Sequence, residues 1–309
     1  MNTRLAAKLF TAVALTALPA FASGLALSPD ALPPATARAL RDQIGAAHLR
    51  DPAAFRSVWQ LRQDANRFDA AKRGPIAPMA RALKPLGAQG VLPLLELLAF
   101  DSLSGPELTP GATLSLQIGA LEALGEQRDP RAAPVLLALV KSPTLPVALA
   151  RSAAEAYGFL QTDEAAAELI AAAGDGSEKG RALRAGLGSC RRVAVARFLA
   201  AQLAQERDEV EAVALIRALA DLGNAWSWKT PGAVTKAEEA PIRELAAQAL
   251  LSAFVQRTGH ARQAANNALM VVDAPVTPRL IARARGEASA ETVAALDALT
   301  ARFQNNPTR

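Results

Sequence analysis

The strongest constraint in this sequence is a helix ending that recurs. An apolar residue followed by glycine appears at Leu86-Gly87, Leu124-Gly125, Tyr157-Gly158, Leu187-Gly188 and Leu222-Gly223, with a looser match at Thr258-Gly259. Successive glycines lie 38, 33, 30, 35 and 36 residues apart. A period of that length marks a chain of supersecondary units that cannot bury their apolar faces alone and must stack. Glycine just past a helix takes the left-handed conformation without a Cβ penalty. The spacing therefore predicts six glycine-marked turns.

What surrounds each glycine also repeats. After Gly125 comes Asp129-Pro130-Arg131, a capping carboxylate and a first-turn proline, ahead of the apolar run from Ala132 to Val140. Thr162 and Asp163 hold the same place before 164–173, and Asp273-Ala274-Pro275 before Pro278. Composition agrees with helices throughout. The chain is 51% hydrophobic but only 4% aromatic, so its apolar residues are mostly Ala and Leu, which lose little side-chain entropy in a helix. The class is all-α. Periodicity places an N-terminal helix over 35–47, then pairs at 52–66 with 76–85, 90–99 with 112–124, and 130–141 with 146–160. Further pairs fall at 164–173 with 179–189, 193–205 with 209–222, 237–257 with 261–272, and 278–285 with 289–304.

The stretches Ala123-Leu-Gly, Asp129-Pro-Arg-Ala-Ala-Pro-Val-Leu and Ala150-Arg-Ser-Ala-Ala-Glu-Ala-Tyr-Gly resemble short bacterial HEAT-like repeats, the variety also found in phycobilisome lyases. The resemblance covers about residues 75–285 and is strongest over 112–173. It implies a right-handed α-solenoid of about seven stacked helical hairpins whose second helices line a concave side. Such repeats serve as binding scaffolds in many systems, so the resemblance speaks to fold more than to function.

The first residues read as an address. Met1 to Lys8 carries two positive charges, Leu9 to Ala20 is apolar apart from two threonines, and Ala20-Phe21-Ala22 supplies small residues for cleavage. This is the pattern of a secretory signal peptide over 1–22, and its apolar run is short of the ~20 residues that span a bilayer. The expected organisation is that leader, capping helices over 23–74, a repeat array over 75–304 with an insert at 224–235, and a disordered tail at 305–309. The expected location is periplasmic or secreted, with no stable membrane insertion once the leader is removed.

Catalytic chemistry finds little support. His48 and His260 are the only histidines and stand far apart, so neither a metal site nor a Ser/His/Asp arrangement is expected. The single cysteine, Cys190, reads as a small buried residue. Gly174-Asp175-Gly176-Ser177 lacks the Lys-Ser/Thr of a phosphate loop and reads as a turn within a hairpin. The formal charge is +5, and Arg4 and Lys8 lie in the leader. What remains is dispersed among acids and forms no concentrated positive surface for nucleic acid. No cofactor is expected.

Two features stand out. Arg81, Arg151, Arg181, Arg217 and Arg262 recur on successive second helices. They form either a ladder that recognises carboxylates or phosphates along one groove, or a set of braces to the carbonyl ends of preceding helices. The insert carries Trp226, Trp228 and Lys229, and its indoles act either as binding anchors or as a plug over adjoining hairpins. The expectation is a non-enzymatic scaffold that binds a protein or peptide of the cell envelope. The alternative is a small-molecule or lyase-like accessory protein built from the same repeats.

Overall fold

The computed structural model describes residues 25–28, 30–100, 106–229 and 236–306. The expected leader and its expected cleavage site after Ala22, residues 101–105, residues 230–235 of the insert and residues 307–309 lie outside them. The described residues contain helices and no strand. In order these are α1 (Pro34–Arg50), α2 (Pro52–Ala70), α3 (Ala80–Leu83), α4 (Val91–Ala99), α5 (Pro110–Gln127), α6 (Ala133–Lys141), α7 (Val147–Gly158) and α8 (Asp163–Ala173). They continue as α9 (Glu178–Gly186), α10 (Val193–Gln205), α11 (Glu209–Gly223), α12 (Ala225–Lys229), α13 (Glu239–Gln256), α14 (Gly259–Val272), α15 (Thr277–Gly286) and α16 (Ala290–Gln304).

Local sequence sets the helix starts. Thr109, Thr162, Ser177, Asp208 and Ser289 each accept a hydrogen bond from the backbone N–H three residues on. Each such cap stabilises its helix by about 0.5–2 kcal/mol. Asp129 likewise accepts from the Arg131 N–H and opens a short 3-10 turn ahead of α6. Two expected helix features differ. Only Ala80–Leu83 of 76–85 is α-helical, because Pro78 and Pro85 break the ladder on either side. Asp273 closes α14 in the left-handed conformation instead of capping α15, whose N-cap is Val276.

The helices pack as two runs. In one, α4, α6, α8, α10 and α13 touch in succession; in the other, α5, α7, α9, α11 and α14 do. Each member of the first run also packs on the member of the second that follows it in the chain. The apolar face of every hairpin is therefore covered from three directions, and Leu136, Leu149, Leu169, Leu183, Leu199 and Ile216 are wholly buried. At ~25 cal/mol per Å2 of apolar surface, this burial is the main stabilising term.

The ends differ from the middle. α1 packs on α4, and α2 packs on α5 as well as α4. A strap ahead of α1 donates the Leu25, Ala26 and Leu27 N–H groups to the Leu97 and Leu98 carbonyls, satisfying the open end of α4. At the other end α15 joins α13 to α16. Of the expected tail, 307–309 lie outside the described residues, and Asn306 is buried and donates through Nδ2 to the Met270 carbonyl at 3.1 Å.

The repeated glycines hold a correction. Of the six, only Gly87 and Gly259 have positive φ, at 57° and 56°. The others mark close approach. A Cβ on Gly125 would lie 2.9 Å from a ring carbon of Phe159, and one on Gly188 would lie 2.7 Å from the Ala218 carbonyl oxygen. On Gly158 it would strike Ser189, and on Gly186, which the repeat pattern did not mark, the Arg151 carbonyl. The separation of two packed helices is set by the side chains between them. Here glycine removes one of them, and at Gly186 and Gly188 the nearest atom across the contact is a backbone carbonyl oxygen.

Candidate binding face

The five arginines do not form one ladder. Arg262 donates to the Phe254 carbonyl at 3.0 Å, and Arg181 to the Gly176 carbonyl at 2.8 Å. Both close the loop before their own helix. Arg184, which the sequence did not single out, does the same at the Ala173 carbonyl from a buried position. The Gly174–Ser177 segment is thus a braced turn, as its residues predict, with Asp175 accepting from Ser177 and held below its ordinary value by those hydrogen bonds.

Arg151 and Arg217 behave otherwise. Both are exposed, and both act on Asp221 of α11. Arg151 also donates to Glu155 one turn along at 2.7 Å. Arg81 is exposed on α3, and none of the five arginines lines either of the clefts described next.

Two adjoining clefts run across the second helices. One, of about 350 Å3, lies between α5 and α7 and is lined by Lys84, Glu122, Glu126 and Arg128. The other, of about 280 Å3, lies over α7, α9 and α11 and is lined by Asp221, Arg191, Asn224 and Ser227. Glu155 and Phe159 line both and join them. Burial pushes the Glu155 and Asp221 carboxyls above their ordinary values, against the pull of Arg151. On the basic side, Arg128 lies 5.9 Å from the centre of the Phe159 ring. Arg191 is buried, with its guanidinium 5.5 Å from the Trp228 ring, and is pushed down by burial and then by Arg128. The result is an open surface of both charge signs around one aromatic ring.

The two tryptophans separate cleanly. Trp228 is 1% exposed and donates through Nε1 to the Leu222 carbonyl at 3.2 Å, so it is a plug. Trp226 is 58% exposed, with the Lys229 ammonium 4.8 Å from its ring centre. The described part of the insert is a helix, α12, where a loop is expected. Asn224 starts it by accepting from the Trp226 N–H.

The clefts contain residues that the sequence did not flag. Arg128 and Arg191 sit in connections outside the repeated positions, and Phe159 follows a marker glycine. One signal was present: Glu155 and Asp221 each lie four residues after a ladder arginine, one helical turn away.

Elsewhere, His48 Nε2 lies 3.0 Å from Glu96 Oε2 and the ring stacks on Phe55 at 3.6 Å. His260 is exposed beside Glu209. Among the described residues no group of three or more His, Cys, Asp or Glu is disposed to hold a metal ion. Burial pushes the Cys190 thiol up to about 12, which leaves it a packing residue. No described helix is long and apolar enough to cross a membrane. Comparison with protein-family models and with curated proteins gave no match.

Proposed function

We propose that this chain is a right-handed α-solenoid of about seven HEAT-like hairpins, exported by a leader cleaved after Ala22. It acts as a non-enzymatic scaffold that holds a protein or peptide of the cell envelope against its second helices. The observation that carries this reading is the pair of clefts joined by Glu155 and Phe159, whose Asp221 is acted on by Arg151 and Arg217 and whose Ser227 adjoins the exposed Trp226 in sequence. Tryptophan and arginine are the residues most enriched among binding hot spots. An extended surface with both charge signs suits a long polar segment better than a compact substrate.

The test is site-specific photo-crosslinking in the envelope of cells that make the protein. A crosslinker at position 151, 217 or 226 captures a defined partner. One at Gln202 or Gln248, on the opposite run of helices, does not. Equal capture from both sides rejects the assignment of the face, and Arg151→Glu/Arg217→Glu should abolish capture from position 226.

A further inference from the structure

A separate cleft of about 830 Å3 opens on the other run of helices. Its floor is α6, which presents Pro134, Leu137 and Ala138, and its far wall is the strap through Ala31 and Pro33. Tyr157 reaches it from α7 and is 2% exposed. Among the described residues its hydroxyl makes no hydrogen bond. The oxygen is not one of the enclosed polar atoms that lack a partner, so it opens onto the cleft that Tyr157 lines. A tyrosine with a buried ring offers its hydroxyl as a polar handle.

The charged groups that line the cleft are Asp30, Glu164 and Lys141. The Lys141 ammonium is already held by Glu168 at 2.8 Å, so the balance offered to a ligand is negative. Burial first, and then Glu164 and Glu168, push the Tyr157 hydroxyl up to about 12. It therefore stays neutral and keeps an oxygen lone pair to accept with. Cavities of this size with a largely apolar lining and a few convergent polar groups are the usual form of small-molecule sites.

We propose that this cleft binds a small organic cation, an ammonium group carried on an alkyl or aryl body. The body lies against Leu137, Ala138 and Pro33, and the ammonium donates to Asp30, Glu164 and the Tyr157 oxygen. An anion of the same shape meets two carboxylates. A neutral alcohol leaves at least one of them without a charge-assisted partner. The site is independent of the second-helix face and does not rest on the scaffold reading.

Isothermal titration calorimetry on the full chain tests this with phenethylammonium, phenethyl alcohol and hydrocinnamate, which share a body and differ in the head group. Phenethylammonium binds saturably at one site, the alcohol about tenfold more weakly, and hydrocinnamate not at all. Asp30→Asn/Glu164→Gln weakens the ammonium about tenfold, and Ala138→Phe, which fills the floor, abolishes it. Both carboxylates are exposed, so the double variant keeps the test decisive if Ala138→Phe does not fold. Hydrocinnamate or alcohol binding as tightly as the ammonium overturns the proposal. So does saturation by none of the three, or ammonium binding that the double variant leaves unchanged.

Discussion

The seam between the second helices and the outer face of those same helices obey opposite rules. At the seam, glycine stands where any side chain would collide, and the contacts are backbone against backbone at Gly186 and Gly188. On the outer face, a turn away, Arg151, Glu155, Arg217 and Asp221 are all charged. Residues in the seam have one acceptable occupant, whereas those on the face have many. The lesson is that the positions with one acceptable occupant fix the stacking, and those with many are left to the surface.

The seam and its plug should show the largest effects. Trp228→Ala removes a fully buried indole and its bond to Leu222, and should cost about 3–5 kcal/mol in urea unfolding. Gly188→Val, set against the Ala218 carbonyl, should cost about 1–3 kcal/mol, and a neutral result would show that the seam can open. Arg262→Met strips the end of α13 of its guanidinium and should lose about 1–2 kcal/mol. On the outer face, Arg217→Ala should change stability by less than about 0.5 kcal/mol while reducing partner capture. If Arg217→Ala proves as damaging as Arg262→Met, the distinction between brace and recognition residue collapses.

Acid provides the finest probe. Glu155 and Asp221 bind their protons more tightly in the folded chain than at their ordinary values of 4.5 and 3.8. Such groups favour the fold in acid, and that contribution fades as pH climbs from the ordinary value through the raised one. Asp129 is displaced the other way, chiefly by its hydrogen bond from Arg131, so its contribution is present above 3.8 and fades as pH falls through the lowered value. Glu155→Gln should flatten the decline in unfolding midpoint above pH 4.5, and Asp129→Asn should flatten the decline in acid. An unaltered profile for Glu155→Gln would place that carboxyl in water, outside the joined clefts.

Much of this arrangement is legible in the residues. Helix capping is local chemistry, so Thr162 and Asp129 could be read directly, and composition gave the all-α class. The reason for the glycines was not legible, because the atoms that a Cβ would strike belong to the next helix, some thirty residues on. The same limit hid His48 against Glu96, 48 residues apart, and the strap over the end of α4. The arginines split for a related reason. An acid four residues on marks Arg151 and Arg217, but whether a carbonyl comes within reach of Arg181 or Arg262 depends on the loop geometry before the helix.

The glycine seam has a mechanical consequence. Helices separated by long side chains can slide as those chains change rotamer, and an array of them stretches like a coil spring. Helices in backbone contact have no such slack, and protein interiors compress little. A pull on α11 therefore passes through α9 and α7 to α5 with little extension taken up at the glycine contacts between them. Along that seam the spacing of neighbouring helices is fixed, as the marks on a ruler are.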